Sequence, residues 1–188
     1  KESKNGSSIL RKARQNTNKA PSHFQTQLQK LVYETLEKLQ ISFERVDTDE
    51  AITMEDCAAI NKKLDMNMVK TLFLCNRQQT DFYLFITTGS KPFRAKDFSS
   101  ALGVSRVSFA PAEHMELMLG TKIGAATVYS SLLDRESKVR VVFDKEVLAE
   151  RWYGCSDGTT TGYMKVRTDD IYRKFLTFTR HTPSVIEV

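Results

Sequence analysis

The sequence predicts an α/β domain built on a mixed, largely antiparallel sheet flanked by helices, and three observations carry that expectation. Residues 68–75 (Met-Val-Lys-Thr-Leu-Phe-Leu-Cys) and 81–88 (Asp-Phe-Tyr-Leu-Phe-Ile-Thr-Thr) are short β-rich apolar runs parted by a polar turn at 77–80, the pattern of neighbouring core strands. Phe24, Leu28, Leu31, Leu36 and Leu39 recur at helical spacing. The remaining strand and helix signals mix without strict β-α-β alternation or internal repeat, which argues against an all-parallel sheet.

The elements follow in order. Pro21-Ser22 opens the first helix, and residues 41–47 alternate weakly (Ile41, Phe43, Val46) as a first strand. Thr53-Met54-Glu55-Asp56 has capping-box character and starts a helix through about Leu64. After the two core strands, 91–94 is a turn and 97–102 a short helix ending on Gly103. Residues 107–110 make a brief strand, and Pro111-Ala112-Glu113 starts another helix. Residues 119–124 form a glycine-flanked loop, 125–133 are small and β-tolerant, and 138–143 are the clearest late strand. Residues 144–150 form a helical turn or two. Residues 153–161 read as a low-bulk loop, 161–166 as a strand, and Thr168-Asp169-Asp170 caps a last helix to about Phe178.

A chain of 188 residues, 40% hydrophobic and 27% charged, fits one globular domain that needs no metal or disulfide staple. The expected division is a flexible basic arm over 1–20, a domain over 21–180 and a tail over 181–188. Net charge is +5, a modest bias toward anionic partners. The arm carries Lys1, Lys4, Arg11, Lys12, Arg14 and Lys19 against Glu2, and is either a solvated tail or an RNA-touching arm. Cys57, Cys75 and Cys155 are odd in number and widely spaced, as reduced thiols of a cytoplasmic protein would be. No apolar run approaches the ~20 residues of a membrane span, so no membrane partner is expected.

Lys70 enters a core strand, where an ammonium either snorkels or meets something anionic. Gly120 and Gly124 mark either a helix end or a loop where backbone can approach a ligand. Residues 153–158 gather Cys155, Ser156 and Asp157 between glycines, either a tight turn or a nucleophile lacking an identifiable base. His23, His114 and His181 have no metal-ligand spacing and no phosphate-loop motif is present, so neither metal, cofactor nor nucleotide hydrolysis is expected.

Four segments together resemble the YbaK/ProX family, homologues of the prolyl-tRNA synthetase editing domain. They are the early helix and strand leading to Asp47 and a threonine-bearing helix at Thr53; Lys70 before Leu72-Phe73-Leu74; Gly124-Ala125-Ala126-Thr127-Val128-Tyr129; and Val139–Asp144 continuing to Thr168-Asp169-Asp170-Ile171. The resemblance covers about residues 25–178 and implies a barrel-like mixed sheet. It also implies hydrolysis of a wrong aminoacyl ester at the acceptor end of tRNA, most simply Ala-tRNA(Pro), then Cys- or Ser-tRNA. By the same resemblance Lys70, Gly124 and Ala125 would be catalytic, and Asp47, Thr53, Thr127, Ser156, Thr160 and Thr161 would bind substrate. Mischarged tRNA and prolyl-tRNA synthetase would be the partners, and a ribose hydroxyl would help activate water. The chain departs from the family pattern at Ser156-Asp157, where relatives carry His-Pro, at Thr160-Thr161 for Asn-Thr, and at Val128 for the loop proline. The alternative is a catalytically silent tRNA-binding or regulatory module of the same fold.

Overall fold

Helix α1 (Gln27–Lys38) begins later than Pro21-Ser22, because the Thr26 hydroxyl accepts the Gln29 amide and sets the N-terminus there. This computed structural model describes residues 16–50, 53–122 and 124–188. Leu28, Val32, Tyr33 and Leu36 form the buried stripe of α1. Helix α2 (Met54–Leu64) starts with the expected capping box: Asp56 N–H donates to Thr53 Oγ1 and Thr53 N–H to Asp56 Oδ2. Helix α3 (Ala95–Leu102) ends on Gly103 in the left-handed region. Helix α4 (Ala112–His114) continues as a π-helical turn, Met115–Leu119.

Among the described residues, the strands form two sheets. The smaller has the order β1 (Phe43–Asp47), β7 (Gly162–Arg167), β6 (Trp152–Ser156), all antiparallel. The larger has the order β4 (Val107–Phe109), β2 (Val69–Asn76), β3 (Phe82–Thr88), β5 (Val139–Asp144), β8 (Ser184–Ile186). Its β4-β2-β3 pairs are antiparallel and its β3-β5-β8 pairs parallel, so the mixed sheet is as expected. A parallel bridge from Met68 to Gly154 links the sheets, which makes the arrangement barrel-like without closing it.

Alternation assigns the faces. Phe73, Cys75, Phe82, Leu84 and Val139 point inward, whereas Leu74, Tyr83, Phe85 and Val142 pack outward on Phe98 of α3. Between the sheets and α1, Tyr153, Cys155, Met164, Val166, Val141 and Phe143 form the largest core cluster. The other face of the small sheet is covered by Ile60 and Leu64 of α2 and by Met66 just after it, which cluster with Tyr163 of β7.

Three expectations are corrected. Residues 152–156 are a strand rather than a loop: Tyr153 and Cys155 fill the core, and a Cβ on Gly154 would lie 2.7 Å from Met66 Sδ. Low bulk there reflects close packing. Within 125–133, Val128–Leu132 is a 3₁₀ turn, capped by Thr127. In the tail, β8 adds to β5, and His181 Nε2 lies 2.8 Å from Asp134 Oδ2 to anchor its approach. Of the arm, residues 1–15 lie outside the described residues, while Thr17 pairs with Arg45 by two backbone hydrogen bonds. After β5, α5 (Lys145–Ala149) is capped by Asp144; a π-helical turn (Asp170–Phe175) leads into α6 (Leu176–Phe178).

The turn from β6 to β7 is tied to α1 by one carboxylate. Asp157, fully buried, accepts from Gln29 Nε2 (3.0 Å) and Tyr33 Oη (2.7 Å) on Oδ2, and from the Thr159 amide (3.2 Å) and hydroxyl (2.7 Å) on Oδ1. Burial first, and then the Asp157 charge, push the Tyr33 hydroxyl well above its ordinary pKa, so it stays a donor. Gly162 lies against this carboxylate, and a Cβ there would come within 2.2 Å of Oδ2. Gly162→Ala should therefore cost about 2–3 kcal/mol in urea unfolding. Tyr33→Phe, which removes one donor from a buried charge, should cost about 1.5–3 kcal/mol.

Candidate functional site

At one end of the small sheet β1 finishes at Asp47, β7 starts at Gly162, and β6 finishes at Ser156. Past the Met68–Gly154 bridge, β2 runs alongside β6 in the same direction, so Lys70 and Ser156 each lie two residues beyond it. Lys70 thus stands between β6 on one flank and Thr87, its register partner on β3, on the other. It is half-buried, on the outer face shared with Leu72 and Leu74, and its Nζ donates to the Lys91 carbonyl. Among the described residues no carboxylate pairs with it.

The sequence candidates gather here in part. Thr127 Oγ1 donates to the Ser156 carbonyl (3.1 Å), which joins the glycine loop to the end of β6. Ser156 Oγ is spent within its own turn, donating to the Thr159 carbonyl (2.6 Å) and accepting the Gly158 amide (3.0 Å). Thr161 Oγ1 accepts from Gln25 Nε2 (2.8 Å), and the Thr160 hydroxyl faces Glu50 Oε1 at 3.5 Å. Asp47 pairs with Arg45 through Nη1 (2.8 Å). Gly124 is exposed at φ +88°, with nothing within 4 Å of where a Cβ would stand, while Ala125 beside it is buried. The backbone at 124 therefore presents an open surface that needs glycine for its conformation. The Thr53 hydroxyl is engaged in its helix cap rather than in this cluster.

Cys155 is no nucleophile: burial pushes its thiol up to about 12, with the Asp157 charge adding to the rise, so a thiolate is absent at neutral pH. His114 packs on the Phe82 ring and meets Gln79, a structural setting. Among the described residues no His, Cys, Asp and Glu cluster could hold a metal ion, and no helix is long and apolar enough to cross a membrane.

Sequence reasoning missed a buried ionic cluster beside Lys70. Asp144, at the end of β5, accepts from Thr87 Oγ1 (2.7 Å) and Lys91 Nζ (2.7 Å), and Lys91 also reaches Glu146 (3.2 Å). Burial alone would raise the Asp144 carboxyl, but the hydrogen bonds from Lys91, Thr87 and the Glu146 amide outweigh it and hold the group below the usual carboxylate range. Burial would lower Lys91; its bonds to Asp144 and Glu146 leave it raised instead. A cavity of about 220 Å³ opens next to this cluster, lined by Thr87, Lys91, Phe93, Arg94 and Phe98 among others. The signal in the sequence was an acid closing an apolar strand.

The comparisons with known proteins agree in direction. Residues 48–174 match the model of the aminoacyl-tRNA editing domain. The prolyl-tRNA editing protein ProX of Acetoanaerobium sticklandii is 26% identical over 113 residues, covering 60% of this chain and 69% of that protein. A candidate trans-editing enzyme for prolyl-tRNA synthetase superposes with TM-score 0.62 at 14% identity, over 88% of this chain and 99% of its own. A scaffold protein from computational epitope grafting gives TM-score 0.65 at 14% identity, over 87% and 97%. At such identities these structures establish the fold.

The Asp144 cluster makes an acid-side prediction. A depressed folded pKa contributes stability above the unfolded value of ~3.9 and loses it as pH falls through the folded value. Asp144→Asn should thus be destabilised by about 3 kcal/mol at pH 7, with the gap to the parent closing below about pH 4 in urea titrations.

Proposed function

The chain belongs to the aminoacyl-tRNA editing domain family, and from that premise we propose that it clears mischarged tRNA in trans, with Ala-tRNA(Pro) as first substrate and Cys- or Ser-tRNA next. The aminoacyl-tRNA deacylase activity of the family suits the chemistry available. The observation that supports this most is Lys70: a half-buried ammonium without a carboxylate partner among the described residues, beside the end of β6. Its neighbour Lys91 is already neutralised by Asp144 and Glu146, so of these two lysines Lys70 is the one whose charge has no carboxylate partner among the described residues.

An aminoacyl ester is reactive enough that positioning and charge stabilisation supply most of the acceleration. Water adds to the ester carbonyl and the bond to the ribose oxygen breaks, that oxygen taking up the proton. The neighbouring ribose hydroxyl helps orient the water. Lys70 steadies the negative charge of the acceptor end and of the developing oxyanion. The open backbone at Gly124, backed by the buried Ala125, forms the wall against which the ester lies. Asp47, Thr160 and Thr161 border the adenosine, and Thr127 and Ser156 hold the wall to the sheet. Size then selects the amino acid, since one methylene is worth only ~1–3 kcal/mol and a bulkier proline must be excluded sterically. The synthetase that charges tRNA with proline is the partner whose errors this activity would remove.

Ester loss from a panel of mischarged tRNAs tests the proposal. Lys70→Ala should lower turnover of Ala-tRNA(Pro) by about a hundredfold or more, whereas Cys155→Ala should stay within a few-fold of the parent. Binding of tRNA without turnover of any panel member would instead identify a silent binding module.

A further inference from the structure

The opposite end of the small sheet carries a second surface. There β6 begins at Trp152, opposite Arg167 at the end of β7, and Lys165 lies opposite Gly154. Alternation from Tyr163, which packs under α2, places Lys165 and Arg167 on the same outer face. From its place opposite Gly154, Lys165 reaches the indole: its Nζ is 4.8 Å from the Trp152 ring centre, and the Arg151 guanidinium carbon is 5.1 Å from it. Two cations are thereby ordered on one half-buried ring rather than waving in solvent. Arg167 is exposed beside them, and Lys62 and Lys63 close α2 nearby.

Among the described residues Glu44 is the acid paired with Lys165, and it is shared; Glu150 and Asp169 also flank Arg151 and Arg167 in sequence, Asp169 facing Arg173. Glu44 Oε2 lies 3.9 Å from Lys165 Nζ while its Oε1 accepts from Asn16 Nδ2 (2.9 Å), which also donates to the Lys63 carbonyl. Asn16 is thereby anchored between Glu44 and the end of α2 at this face.

We infer that Arg151, Lys165 and Arg167, ordered around Trp152, form a docking surface for the phosphate backbone of the RNA whose acceptor end reaches Lys70. The inference rests on the deacylase reading for the identity of the partner. Geometry links the two ends: Trp152 and Ser156 are four residues apart on one strand, roughly 13 Å. Phosphates rather than bases are the fit, because the indole already carries the two cations, Arg151 and the largely buried Lys165, and so presents fixed positive charge in place of a free ring for stacking. Trp152 is a positioning residue here, the cations the contacts.

Fluorescence anisotropy with labelled, uncharged tRNA-Pro transcript across a potassium chloride series tests it. The triple variant Arg151→Gln, Lys165→Gln, Arg167→Gln should bind about tenfold or more weaker near 0.1 M salt, with the log-log salt slope reduced by about one per cation removed. Trp152→Phe should lose less. Deacylation of a short aminoacylated CCA oligonucleotide, too short to reach the patch, should be unchanged in the triple variant. Equal tRNA affinity and slope in parent and variant, with both chains folded by circular dichroism, would overturn the surface while leaving the deacylase intact. Loss of binding confined to a poly-glutamate probe would assign the patch to acidic protein and overturn it too. If the parent deacylates no mischarged tRNA yet shows the expected slope change, the surface stands and the deacylase reading falls.

Discussion

The burial of the Asp157 carboxylate is the constraint on which the candidate site's end of the molecule depends. A charge placed at zero exposure is stable only if its lone pairs are filled. Here four donors fill them, two from α1 and two from Thr159. That requirement locks the first helix to the β6–β7 turn, demands glycine at 162, and consumes the Ser156 hydroxyl in the same turn. The consequence is a rigid edge: Ser156, Thr160 and Thr161 are held in one arrangement before any ligand arrives, so little ordering entropy is left to lose on binding.

Against that edge the sheet supplies charge. Two lysines lie side by side with different electrostatic fates. Lys91 is drawn into a buried pair with Asp144, which Thr87 and the Glu146 amide complete, and so serves to hold the ends of β3 and β5 together. Lys70 gives its hydrogen to a backbone carbonyl, which satisfies the donor without cancelling the charge. A chemistry that needs an available cation rather than a nucleophile fits this division, and the thiol beside it is disabled by the same burial that stabilises the core.

The outer face of the small sheet extends the same logic. Gly154 leaves room beneath Met66 and Asn67, and Lys165 opposite it lies over Trp152. Recognition of a long polyanion is served by such spaced, ordered cations more than by one strong site, because each contact adds independently to a salt-dependent whole.

Local chemistry was enough to read most elements from the chain itself. The β-rich apolar runs at 69–76 and 82–88, the capping box at Thr53 and the glycine stop at 103 are short-range effects that need no partner, whereas the expected Thr168-Asp169-Asp170 cap makes no side-chain cap hydrogen bond. The four segments around Asp47, Lys70, Gly124 and Val139 also carried the family resemblance. What the chain alone could not decide was long-range. The end of β6 looks like loop because Gly154, Cys155 and Ser156 are small, Gly154 for the packing of Met66 above it, and 184–186 become a strand only because the edge of β5 is there to pair with. Whether Asp157 was a turn acid or a buried anchor, and which lysine would be neutralised, were settled by partners 50 to 130 residues distant, such as Asp144 for Lys91 and Gln29 for Asp157. The cost of burying a charge is paid by neighbours in space, and neighbours in space are what the tertiary structure alone assigns.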